Sequence, residues 1–178
     1  RYAISMRGMD KYVASLTTMN TPHRGCRFVD KACKLPDGLY RFIAKIFDTA
    51  FKRAGDKNSD FYTATRQFST AFSEEFNKAV KDSNRVYYQS YTSIMKNMFS
   101  DSILWAPYLL IKSIDGANDG LVAIESAKWG NYKGLITSTT YHGISHGDMI
   151  DLRRADEKGY DIIEQYVNIV ADLKNKGY

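Results

Sequence analysis

Two short motifs in the second half of the chain hold the residue types that acid–base chemistry needs. Asn118-Asp119-Gly120-Leu121-Val122 comes first, and Gly143-Ile144-Ser145-His146-Gly147-Asp148 follows. A carboxylate that bonds one imidazole nitrogen fixes the tautomer and leaves the other nitrogen to take a proton from a hydroxyl nucleophile. Asp-Gly by itself is a common turn, and a lone histidine is more often a satisfied structural group. Their order, their separation by one strand-plus-turn unit and their turn contexts make the pair informative. An acid followed by a base in successive turns is the back half of a Ser-Asp-His triad. A nucleophile on a strand-to-helix elbow ahead of them is not evident.

Other residues invite competing chemistry. Gly143-Ile144-Ser145-His146-Gly147 matches the G-x-S-x-G nucleophile pattern letter for letter. That pattern belongs on an elbow with the acid and then the histidine downstream, and no histidine follows His146. Ser145 therefore reads as a neighbour of the base. His142 and His146 stand four apart, but Gly143 lies between them and the Glu of H-E-x-x-H is missing, which argues against a zinc protease. His23 follows a strand end and reads as structural. Cys26 and Cys33 lack a second pair, so a zinc site is not expected; the two could pair as a disulfide, but residues 22–34 read as loop then helix and favour two free thiols. The net charge is +5, but Lys and Arg are interleaved with Asp and Glu, as in Arg153-Arg154-Ala155-Asp156-Glu157-Lys158. A nucleic-acid partner would need that charge on one face. The oligomeric state is not legible.

The elements that must position the pair are those of an α/β domain. With 44% hydrophobic and 25% charged residues, the 178-residue chain has the composition of one globular domain. Its longest apolar run, Ser102 to Ile111, is too short to span a bilayer. Arg1 to Met6 reads as the tail of a helix closed by Gly8. Tyr12 to Met19 and Arg85 to Tyr91 read as strands, and Tyr132 to Thr139 as a weaker one. Leu39, Phe42, Ile43, Ile46, Phe47, Ala50 and Phe51 recur at helical spacing after Pro36. A second helix is expected where Phe61, Ala64, Phe68, Phe72, Phe76 and Val80 repeat. Ile162, Ile163, Tyr166, Val167, Val170 and Leu173 make a one-faced helix. Strands alternating with helices predict a largely parallel sheet.

On four stretches the chain resembles the bacterial triacylglycerol lipases of the α/β-hydrolase fold, the group that includes the Pseudomonas and Burkholderia lipases. These are Arg1-Tyr2 with Val13 to Thr18 leading into Thr21-Pro22-His23-Arg24-Gly25; Phe68 to Asn77 followed by Val86-Tyr87-Tyr88; Asn118 to Val122; and Gly143 to Asp148. The resemblance covers nearly the whole chain and implies a partial α/β-hydrolase fold over residues 1–178, the C-terminal part of one domain. It makes Asp119 the triad acid and His146 the general base. It places the nucleophile and the oxyanion hole upstream of Arg1, so the 178 residues alone are expected to be inactive and to fold poorly. Residues 36–80 become a helical lid, with Phe42, Phe47, Phe51, Phe61 and Phe68 lining an acyl pocket. Asp148 matches the position of a calcium-binding carboxylate, with Asp101 the nearest partner; catalysis itself needs no cofactor.

The activity so implied is that of a serine ester hydrolase acting on lipid or small acyl esters, with contact to a lipid interface. A short-chain esterase or an acyltransferase would use the same residues. A non-catalytic α/β-hydrolase-like binding protein is the reading from another class, and the residues preceding Arg1 discriminate them: a nucleophile there favours the enzyme.

Overall fold

The computed structural model describes residues 1–53, 55–151 and 159–178; the side chains of Phe47, Ala50 and Phe51 lie outside the described residues. A parallel three-stranded sheet is built from β1 (Ser15–Met19), β2 (Tyr87–Ser93) and β3 (Asn131–Ile136), in the order β1-β2-β3. Parallel neighbours need long crossovers. The first carries α2 (Arg27–Ala32), α3 (Asp37–Arg53), α4 (Phe61–Arg66) and α5 (Thr70–Ala79). The second carries α6 (Trp105–Asp115) and α7 (Ile124–Ala127). Ahead of β1 lies α1 (Tyr2–Met6), and after β3 comes α8 (Ile162–Asn175).

The central strand is the most buried, and its side chains alternate between two cores as a pleat requires. Tyr88 packs with Ile4 and Val86, against Val13, Leu16 and Trp129. Tyr91 packs with Ile136, Ile144, Met149 and Ile169, against Met19, Tyr160 and Leu173. The second cluster joins the sheet, the segment that carries His146, and α8. Buried Asn20 closes the β1 end: its Nδ2 donates to Ser93 Oγ (2.7 Å) and its Oδ1 accepts from Ser93 N (2.7 Å).

The strands begin or end a few residues from the expected bounds. The helix expected over Phe61 to Val80 is instead two. The break at 67–69 has a long-range cause. Cys26 N donates to Phe68 O (2.7 Å), and Asp30 accepts from Thr70 N (2.8 Å) and Thr70 Oγ1 (2.7 Å). Gly25, at φ +76°, lies so close that a Cβ there would sit 2.6 Å from Ser69 O. Ser69 then restarts the helix by accepting from Phe72 N. On α3 part of the apolar stripe faces outward: Leu39, Phe42 and Ile46 are exposed, while Ile43 is half-buried and Tyr40 and Ala44 are buried. The tyrosine ring lies against Tyr62 of α4, and its hydroxyl is hydrogen-bonded to Thr65. The stripe on α8 is divided, with Ile162 and Ile169 buried and Ile163, Val167 and Val170 exposed. The apolar run at 102–111 forms most of α6. Pro107 is tolerated there because it falls in the first turn, where its missing N–H has no helical partner. No helix among the described residues is long and apolar enough to cross a membrane.

Candidate active site

Both motif loops, one between α6 and α7 and the other after β3, are held together by the chain that continues β2. Met95 N donates to Asn118 O (3.0 Å), drawing in the acid loop. Ile144 N donates to Ile94 O (2.8 Å) and Lys96 N to His142 O (2.9 Å), drawing in the base loop. The acid loop closes on itself, with Asp119 N donating to Val122 O (3.2 Å) and Asn118 bridged to Ala123. Fully buried Asn118 stiffens this turn. Its Nδ2 donates to Gly116 O (2.9 Å) and its Oδ1 accepts from Gly120 N (2.9 Å). Gly120 adopts φ +100°, and a Cβ there would stand 2.8 Å from both Leu104 and Met95 side-chain atoms.

The two predicted residues meet. Nδ1 of His146 lies 2.7 Å from Oδ2 of Asp119, and His146 N also donates to Asp119 O (2.8 Å). The other carboxylate oxygen is filled by the amides of Leu121 (2.9 Å) and Val122 (2.7 Å). A carboxylate oxygen only accepts, so Nδ1 carries the proton and Nε2 is left to take one. Burial lowers the pKa of His146, but the hydrogen bond and charge of Asp119 outweigh it, so the net direction is upward from 6.5. Asp119 is 1% exposed while the His146 side chain is 32% exposed, so the carboxylate is enclosed and the imidazole is partly open to solvent.

Ser145 is fully buried, and its Oγ accepts from Asp148 N (3.3 Å). It follows an isolated bridge at Gly143 and leads into a short 3-10 turn, Asp148–Ile150, so the strand-to-helix elbow of a nucleophile is not there. His142 is exposed, its Nδ1 3.1 Å from Phe99 O. His23 is buried against Trp129, with Nε2 3.0 Å from Thr18 Oγ1, and burial with the charge of Arg1 pushes it down to about 4. Cys26 and Cys33 are free thiols; burial, then the charges of Asp119 and Asp115, pushes Cys26 up to about 12.

Phe42 is exposed on the outer side of α3, and Phe61 starts α4, its amide held by Asp48 (2.7 Å). Phe68 lines a cavity of about 320 Å³ with Phe72, Phe76, Thr18, Pro22 and His23. Phe47 and Phe51, as side chains, lie outside the described residues. The calcium set fits poorly. Oδ1 of Asp101 accepts the amides of Ile103 (2.8 Å) and Leu104 (2.9 Å), and Oδ2 of Asp148 accepts the amide of Ser145 (2.8 Å). Among the described residues no group of three or more His, Cys, Asp or Glu could hold a metal. Sequence reasoning missed Met95 and the bracing role of Asn118. The backbone atoms through which Met95 acts are common to every residue, so its type carried no signal.

No protein family profile matches the chain. It is 28% identical to "Triacylglycerol lipase 2" of Saccharomyces cerevisiae over 197 aligned residues, covering 100% of the chain and 54% of that relative. The chain spans about half the length of the curated relative it matches. A metagenomic carboxyl esterase superposes with TM-score 0.61 at 19% identity, covering 82% of this chain and 40% of the esterase. A Bacillus licheniformis lipase in its propeptide form gives 0.54 at 20%, covering 90% and 34%. The fold is part of an α/β-hydrolase. These likenesses are to a yeast protein, a metagenomic one and a Bacillus one, and none of the three places the chain among the Pseudomonas and Burkholderia lipases.

Proposed function

We propose that this chain carries the acid–base half of a serine ester hydrolase, lipase- or carboxylesterase-like. The observation that carries the reading is the bond from His146 Nδ1 to enclosed Asp119 at 2.7 Å, on loops at one end of a parallel sheet. The kinship with a yeast triacylglycerol lipase supports an acyl ester as substrate. In the proposed mechanism a serine supplied from outside these residues attacks the ester carbonyl as Nε2 of His146 takes its proton. His146 returns that proton to the leaving alcohol, and water, activated in the same way, hydrolyses the acyl-enzyme. Asp119 holds the ring and stabilises the imidazolium. Residues 36–80 serve as a cap, with the outward apolar face of Leu39, Phe42 and Ile46 offered to acyl chains or a lipid surface.

The test is p-nitrophenyl ester hydrolysis by the whole protein that carries this chain. His146→Ala and Asp119→Asn should each lower kcat by about 10³- to 10⁴-fold, with KM much less affected. Full turnover by either variant rejects the assignment. So does turnover by these 178 residues alone that Ser145→Ala abolishes.

A further inference from the structure

Asp148 stands where the family resemblance implies a calcium ligand, yet its contacts describe something else. The segment Ser145-His146-Gly147-Asp148 is closed by two reciprocal bonds: Asp148 Oδ2 accepts from Ser145 N (2.8 Å), and Ser145 Oγ accepts from Asp148 N (3.3 Å). This is the geometry of a capping box, each side chain satisfying the other's backbone amide. The two residues it spans are His146 and Gly147, so the box encloses the backbone of the base. On one side Ser145 is fully buried and follows Ile144, whose amide is bonded to Ile94 O. On the other, Met149 sits in the core and its carbonyl accepts from Tyr166 OH (2.8 Å) on α8. The loop is thus fixed at both ends and clasped in the middle by protein atoms. Calcium takes six to eight oxygen ligands. The oxygen of Asp148 that faces Ser145 N is already committed to a donor.

We propose that Asp148 is a positioning residue that clasps the His146 loop directly through Ser145, in place of a bound calcium ion. The clasp needs an acceptor at Asp148, not a charge. Its kinetic consequence rests on the ester-hydrolase reading above; its structural consequence does not.

Both are tested on the whole protein with three variants: Asp148→Asn, which keeps the acceptor, Asp148→Ala, which removes it, and Ser145→Ala, which removes the weaker bond. The readouts are kcat and KM on a soluble ester, and the downfield proton NMR signal of the His146 Nδ1–H bonded to Asp119. Asp148→Ala should lower kcat by about 10- to 100-fold with little change in KM, and should broaden or abolish the downfield proton. Asp148→Asn should restore both, and dialysis of the wild type against EDTA should change neither. If Asp148→Ala does not fold by circular dichroism, Ser145→Ala carries the test, with a few-fold loss of kcat and a broadened signal expected. The proposal is overturned if Asp148→Asn is as damaging as Asp148→Ala, if Ser145→Ala leaves both readouts at wild-type values, or if EDTA abolishes the signal and calcium alone restores it. Wild type without ester turnover, but with the proton lost in Asp148→Ala and kept in Asp148→Asn, sinks the hydrolase reading and upholds the clasp.

Discussion

At the scale of single residues, the site rests on an imbalance around one imidazole. Burial acts to strip His146 of its proton, while the bond and charge of Asp119 act to keep it, and Asp119 prevails. The ring must be neutral to accept a proton from a nucleophile. The activity of the whole protein should therefore fall as pH drops through an apparent pKa above 6.5. In Asp119→Asn the charge is gone and at most a neutral hydrogen bond opposes burial, so the acid limb of the residual activity should move to lower pH. A pH–rate profile of kcat/KM on a soluble ester measures both. A wild-type limb at or below 6.5 would mean that Asp119 does not outweigh burial at His146. The same balance bears on stability with its own sign. A raised imidazole pKa contributes stability that is full below the unfolded value and is lost as pH rises through the folded one.

At the scale of elements, two loops are aligned by a third, and close approach makes that possible. Gly143 adopts φ +80°, and a Cβ at that position would lie 2.4 Å from Ile94 O and 2.7 Å from Lys96 N. Gly143→Ala should thus cost about 1–3 kcal/mol from backbone strain alone, and more from the clash, with the base loop displaced. Urea unfolding followed by circular dichroism reads the loss; an unchanged midpoint would mean the loop is not pinned to the β2 extension. The sequence shows why such features escape it. The contact between Asp119 and His146 was legible because few residue types offer a carboxylate or an imidazole. Ile94, Met95 and Lys96 hold the loops through main-chain groups that every residue but proline offers. The break between α4 and α5 is set by Gly25, Cys26 and Asp30, some forty residues earlier, and no local pattern at 67–69 announces it. Periodicity marks the α3 stripe as apolar but cannot say which side of the helix is covered. The strands were legible because their runs of apolar, tyrosine and β-branched residues lie between turn residues.

At the scale of the whole molecule, one cluster ties four parts of the chain together. Arg1 donates to Asp82 Oδ1 (2.9 Å), Asn77 Oδ1 (2.6 Å) and Val80 O (2.9 Å), and its guanidinium lies 3.8 Å from the centre of the Trp129 ring. Trp129 donates to Asp82 Oδ2 (2.6 Å) and stacks on His23 at 5.2 Å, while Asn77 donates to His23 O (2.7 Å). The cluster thus fastens the α1 end, the loop after β1, the end of α5 and the approach to β3. His23 is its vulnerable member. Burial first, and then the charge of Arg1, lowers its pKa from 6.5 to about 4, with Asp82 opposing and Arg24 adding to the effect. In the unfolded chain His23 takes a proton below about 6.5, but in the folded chain it resists until about 4. Acid therefore favours unfolding across that window. The shift corresponds to about 3 kcal/mol, lost progressively below pH 6.5 and in full only below the folded value of about 4. Other groups titrate in the same range, so the measurement is a comparison. Chemical unfolding of the wild type and His23→Gln at half-unit steps from pH 7 to pH 4 isolates the histidine. The variant lacks the stack on Trp129 and starts less stable, and its deficit should shrink as pH falls because it has no imidazole to protonate. A deficit that stays constant from pH 7 to pH 4 would mean that His23 does not govern the acid sensitivity of the cluster.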